Sequence, residues 1–181
     1  MNKRFLQRIR VPLGFLFAAV FVIFAHPSVV TIAAGAAIAA VGALIRGWAS
    51  GHIRKSKELA VTGPYAYTRN PLYFGSLLLG IGFTIAAGVW WLALLLAAVF
   101  AGIYFPVMRV EEEDLKTAFG AEFEDFRQNV PLFFPQARAW KKSDAKFDFG
   151  LYLKYREYRV ILGGLAVIGF LAAKMIYFYW Q

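Results

Sequence analysis

The 181-residue chain carries 20 Lys and Arg against 11 Asp and Glu, a net charge of +9, and is 60% hydrophobic and 18% aromatic. That is too apolar for an ordinary soluble domain, and the length fits one membrane domain without room for a separate soluble catalytic one. Cysteine is absent and histidine is limited to His26 and His52, which excludes disulfides, thiolate nucleophiles and a histidine-rich metal site. The positive charge lies in loops beside apolar runs, so it reads as contact with anionic lipid headgroups rather than with nucleic acid.

In chain order, Lys3, Arg4, Arg8 and Arg10 precede an apolar stretch at about 11–25. A cleaved signal would be followed by small residues and a soluble chain; here a second apolar run follows, which predicts a retained anchor. Further spans are predicted at about 28–48, 72–88, 89–108 and 158–179. A helix needs about 20 apolar residues to cross a bilayer, so the first and third are short. His26-Pro27 and Gly88–Trp91 are expected as uncharged turns on one side. The other side holds Arg46, Arg54, Lys55, Lys57, Arg69, Arg109, Arg127 and the basic residues from Arg138 to Arg159. By the positive-inside rule that side, with the N-terminus, is cytoplasmic. Lys174 near the far end of the last span is placed to snorkel outward, beside an aromatic anchor from Tyr177 to Trp180. Ala and Gly crowd the second span, which suits close helix packing and permits self-association without requiring it. The fold class expected is all-α: a polytopic membrane bundle of about five helices, forming a single domain over 1–181.

Two polar signatures stand among these runs. The first is Gly63-Pro64-Tyr65-Ala66-Tyr67-Thr68-Arg69-Asn70-Pro71-Leu72-Tyr73-Phe74-Gly75; the second is Glu111-Glu112-Glu113-Asp114-Leu115, then Phe119-Gly120 and Val130-Pro131. Polar groups near a bilayer are costly and call for a functional explanation. The pattern from Glu111 to about Arg127 predicts a helix entered shortly after Pro106. On it Glu112, Leu115, Phe119, Phe123 and Phe126 form one stripe, with Glu111 at its edge and Glu113 and Asp114 outside. A preference for the helix N-terminus accounts for the outer acids but poorly for Glu112, which therefore reads as functional. Asn70-Pro71 alone would start a helix, Gly63-Pro64 alone is a turn, His26 reads as structural, and His52, a base by chemistry, reads without a partner as an interfacial loop residue. Together, though, Tyr65, Tyr67, Arg69, Asn70 and Tyr73 bring hydrogen-bonding and aromatic groups to one edge.

These two motifs, in this order and separated by an apolar hairpin, resemble the isoprenylcysteine carboxyl methyltransferases and the related phospholipid N-methyltransferases. The resemblance covers about Thr62 to Pro135, a core of 62–135, and leaves out the last span at about 158–179. It implies S-adenosylmethionine bound at the cytoplasmic edge and a lipid acceptor, either a prenylated cysteine carboxylate or a phospholipid amine, entering from the membrane. The cofactor-binding residues it implies are Tyr65, Arg69, Asn70, Pro71, Tyr73, Gly75, Glu111 and Glu112. The catalytic candidates are Glu112, to hold the cofactor's polar groups or take a proton from an amine, and Arg109, to pair with Glu113 or steer an acidic acceptor. No metal is implied. Alanine at Glu112 is expected to abolish turnover in a folded protein. The chain departs from the family at Asn70, where His is usual, and at Phe123 and Phe126, where Tyr is usual. An NADPH-dependent membrane reductase of the sterol reductase type and a non-catalytic membrane scaffold are the alternatives.

Overall fold

The computed structural model describes residues 20–21, 23–54, 58–141 and 145–179, and every regular element among them is helical. Ser28 opens the first long helix, α1 (Val29–Ser50), by accepting from the Thr31 amide while the Thr31 hydroxyl accepts from the Ser28 amide, a reciprocal cap. A 3-10 turn (Gly63–Ala66) and the loop to Asn70 lead into α2 (Pro71–Ala87), where proline occupies a first-turn position that needs no amide donor. Gly88 ends α2 in the left-handed region, at φ 71°. The next helix, α3 (Leu92–Phe119), is a rod of 28 residues. It is followed by α4 (Ala121–Asn129), the short α5 (Phe149–Lys154) and α6 (Tyr158–Tyr179).

Helices α1, α3 and α6 are each long and apolar enough to cross a membrane, and α2 is a shorter apolar helix. The expected runs at 28–48, 72–88 and 158–179 are therefore helices within a few residues of their predicted limits, while the one expected at 89–108 runs on to Phe119. Of the first, 11–25, only residues 20–21 and 23–25 are described, and the rest lies outside the described residues.

Helices α1 and α2 run antiparallel at very short range. A Cβ on Gly82 would lie 2.5 Å from the Gly35 carbonyl oxygen, and one on Gly42 would lie 2.6 Å from that of Gly75, so small residues are what let the backbones meet. At one end of the bundle the two expected turns touch: the His26 amide donates to the Ala87 carbonyl at 2.8 Å. Phe21, Ala25, Ala86, Ala87, Leu92 and Leu171 form a buried cluster there, and Lys174 donates to the Ile23 carbonyl oxygen at 3.0 Å. The antiparallel run carries both polar signatures to the opposite end.

Two expectations about the acidic segment are corrected. Pro106 does not begin a new helix. Lacking an amide and crowding the preceding turn, it is accommodated by a wider π turn over Phe100–Tyr104, in which the Phe105 amide reaches back to the Phe100 carbonyl. The fourth span therefore continues unbroken into the acidic motif. The helix then stops earlier than Arg127, at Gly120, whose φ of 51° turns the chain into α4.

Candidate active site

The stripe prediction places Glu112 inward, and in the structure it is buried while Glu111, Glu113 and Asp114 are exposed. Its partner comes from the other signature. Arg69 Nη1 lies 2.7 Å from Glu112 Oε1, and the two side chains are 9% and 8% exposed. The approach is close but not aligned as a hydrogen bond. Glu112 Oε1 and both Nη1 and Nε of Arg69 thus remain buried without a hydrogen-bond partner. Burial pulls the Arg69 pKa below its usual value, and the neighbouring Glu112 opposes that. Arg109, mostly exposed, donates from Nη1 to Glu112 Oε2 at 3.4 Å. It pairs with Glu112, three residues on, rather than with Glu113, four residues on, both spacings being within reach along a helix. Beside this group is a cleft of about 230 Å³ lined by Arg109, Glu112, Glu113, Lys116, Phe123 and Arg127.

The remaining predicted residues fall into two groups. Tyr73 belongs with the acids: its hydroxyl donates to Glu111 Oε1 at 2.9 Å, and its ring meets Tyr104 of the π turn edge-on. Tyr65 is buried, and its hydroxyl has no hydrogen-bond partner. Burial, with Glu157 second, raises its pKa and keeps it a neutral phenol. Asn70, Pro71 and Gly75, by contrast, are engaged in building the loop. Asn70 Nδ2 donates to the Leu132 carbonyl at 3.0 Å, and Pro71 starts α2. Gly75 makes room for a neighbour, since a Cβ there would lie 2.6 Å from Arg46 Cγ.

A strap formed by 130–140 holds that loop. The Arg69 amide donates to the Pro131 carbonyl, Gln136 donates to that of Tyr67, and Trp140 to that of Ala66, each at 3.0 Å. The buried Thr68 hydroxyl donates to the Phe133 carbonyl at 2.8 Å. The closing Val130-Pro131 of the second signature is thus stitched to the backbone of the first. Phe123 and Phe126 are 1% and 2% exposed and form a core with Leu59 and Val130, so these rings, without hydroxyls, fill an apolar space. His52 is half-buried, with Nδ1 3.1 Å from the Thr62 hydroxyl and its ring against Gly63; burial lowers its pKa. It supports the turn at Gly63.

Sequence reasoning put Phe123 on the Glu112 stripe but passed over Lys116 and Arg127 as cleft residues. Lys116 stands one helical turn beyond Glu112, off the stripe, and Arg127 arrives only through the turn at Gly120.

The paired signatures occupy one end of the structure, and the family profile of the phospholipid methyltransferases matches residues 31–122, which contain both the Arg69 loop and the acidic segment. The chain belongs to the phospholipid methyltransferase family. Within that family match lie all but the first two residues of α1, then α2, α3 and the start of α4, while the strap, α5 and α6 lie beyond it. The chain is also similar to the nickel-cobalt-cadmium resistance protein NccN of Alcaligenes xylosoxydans xylosoxydans, with 38% identity over 56% of this chain and 47% of that protein. To the cobalt-zinc-cadmium resistance protein CzcN of Cupriavidus metallidurans it is 37% identical over 59% of this chain and 49% of that one. The chain spans about half the length of the curated relatives it matches. No solved structure matches. Among the described residues no group of three or more His, Asp or Glu is placed to hold a metal ion.

Proposed function

We propose that this member of the phospholipid methyltransferase family transfers a methyl group from S-adenosylmethionine to a membrane-embedded lipid or lipidated acceptor at the cytoplasmic face. The acceptor would be a phospholipid amine or an isoprenylcysteine-like carboxylate. The observation that carries the reading is the buried Arg69–Glu112 pair beside a charged cleft, with atoms of both side chains lacking hydrogen-bond partners. Arg69 and Glu112 offset one another's charge, and a zwitterionic amino-acid tail complements both: its carboxylate suits Arg69, its ammonium suits Glu112. The cleft is smaller than the roughly 300–1,000 Å³ typical of small-molecule sites, so it suits the polar end of the cofactor rather than the whole.

The cofactor supplies an activated methyl on a sulfonium, so no covalent nucleophile is required of the protein. What this chain's residues contribute is binding and orientation. Arg69 and Glu112 fix the polar tail, Tyr65 offers a neutral hydroxyl, and Tyr73 holds Glu111. The flank of α3 leaves Arg109 at the mouth, where its exposed guanidinium draws in a negatively charged acceptor. Glu112 is also the carboxylate nearest to hand if an amine must lose a proton before attack. The cytoplasmic assignment rests on the basic residues gathered at the end that holds the motifs.

Titration of the purified protein in detergent with S-adenosylmethionine, S-adenosylhomocysteine and NADPH tests this. Saturable binding of the first two, weakened in Glu112→Gln, is expected, together with methyl transfer to an extracted-lipid mixture. Binding of NADPH alone would move the chain to reductase chemistry, and binding of none would leave a membrane scaffold.

A further inference from the structure

Outside the site, the most fully bonded polar group among the described residues is Arg46, near the C-terminal end of α1. All three of its guanidinium nitrogens are used. Nε and Nη2 donate to Glu157 Oε2 and Oε1 at 3.1 and 2.8 Å, a bidentate pair. Nη1 donates to the Leu72 carbonyl at 3.1 Å and to the Ser76 hydroxyl at 2.6 Å. The two side chains are 20% and 11% exposed, so the pair is shielded from water. Leu72 and Ser76 belong to the first two turns of α2, and Leu72 follows Arg69 by three residues.

The other end of the pair is set with equal care. At the end of α5 the Arg156 amide donates to the Leu153 carbonyl and the Glu157 amide to that of Tyr152. This is the helix-ending pattern that places one residue in the left-handed region. That residue is usually glycine, but here it is Arg156, at φ 57°. An unfavourable conformation of this kind persists where surrounding contacts over-determine it, and the contact it delivers is Glu157 onto Arg46. A buried ion pair is weak evidence for stability and better suited to fixing geometry. Glu157 also lies outside the residues shared with the family, whereas Arg46 lies within them.

We propose that Glu157 is a positioning residue for the methyl-transfer site: acting through Arg46 it clamps the first turns of α2, and with them the Arg69 loop, so the C-terminal span is part of the working enzyme. The activity arm of this inference rests on the methyltransferase reading; the structural arm does not.

The test compares the full chain with Glu157→Gln in lipid nanodiscs, by backbone hydrogen exchange and by steady-state kinetics. Exchange of the amides from Tyr73 to Ser76 is expected to accelerate about tenfold, with the mid-helix amides of α3 unchanged. The KM for S-adenosylmethionine is expected to rise about tenfold while kcat stays within about twofold. Glu157→Asp, which keeps the charge and shortens the reach, should fall between, and it serves if the glutamine variant does not fold. Unchanged exchange in a folded variant overturns the clamp. Faster exchange with an unchanged KM overturns the link to the site. If the wild-type chain transfers no methyl group, the methyltransferase reading fails, and the exchange result alone then decides whether Glu157 fixes the loop.

Discussion

Glu112→Ala is the substitution the sequence invites, and the structure predicts that it does more than remove a functional group. It leaves the Arg69 guanidinium, whose side chain is 9% exposed, without its carboxylate. Breaking a buried pair from one side costs about 3–5 kcal/mol, because the surviving charge stays desolvated. Arg109 adds at most about 0.5 kcal/mol, being 57% exposed and screened by water. Against a typical total of about 5–15 kcal/mol, the single alanine removes a large share of the stability, which the expectation of a folded alanine variant did not foresee. Replacing both partners by apolar residues, in Glu112→Leu with Arg69→Met, removes the desolvated charges together and should lie within about 2 kcal/mol of the wild type. The coupling read from the cycle should exceed about 2 kcal/mol. SDS-driven unfolding in mixed micelles, followed by tryptophan fluorescence, measures it. A double variant no more stable than the worse single one would refute the reasoning, as would a Glu112→Ala protein within about 1 kcal/mol of wild type. Turnover is better tested in Glu112→Gln, which keeps the shape and should lose about a hundredfold in rate.

Three other expectations concern separate parts of the molecule. Gly82→Ala should destabilise by about 1–3 kcal/mol in the same unfolding assay, since its Cβ would meet the Gly35 carbonyl and the Ala39 backbone; a cost under about 0.5 kcal/mol would mean that α1 and α2 separate easily. Tyr65→Phe removes a buried hydroxyl without a partner, so the ligand-free protein should gain about 1 kcal/mol while S-adenosylmethionine binds more weakly; a loss of stability would show that the hydroxyl is already satisfied. His52 has its pKa lowered by burial, so on acidification the unfolded chain takes up this proton first. Stability held above pH 6.5 should therefore decline as pH falls below that value, and His52→Asn should flatten the profile; an identical profile in the variant would rule His52 out as its source.

Much of the scaffold was legible because its signals are local. The apolar runs locate α1, α2 and α6, His26-Pro27 and Gly88 mark element ends, and the 3.6-residue period picks Glu112 from three consecutive glutamates. The errors share a cause. Pro106 carries the local signal of a break, but a π turn absorbs it, and Gly120 sits within a stripe that continues across it. Contacts between distant residues had no local signature at all. Thr68 with Phe133, Asn70 with Leu132 and Arg46 with Glu157 depend on the bundle bringing separate segments to one end. Asn70 and Gly75 match a motif, and their further contacts with the loop and a neighbouring arginine are ones that only packing reveals.

The π turn at Phe100–Tyr104 also bears on how such a chain tolerates insertion and deletion. One residue added to a regular helix rotates everything beyond it by about 100°, which would carry Glu112 away from Arg69. A five-residue turn takes up that extra residue without passing the rotation on. The apolar half of α3, from Leu92 to Val99, and the site-facing half, from Arg109 to Glu112, can therefore vary in register independently. Deleting one residue from 100–104 should yield a regular helix that keeps the acidic pair in place, whereas deleting one from 107–110 should not. Indels between relatives with intact sites would then be concentrated in the turn.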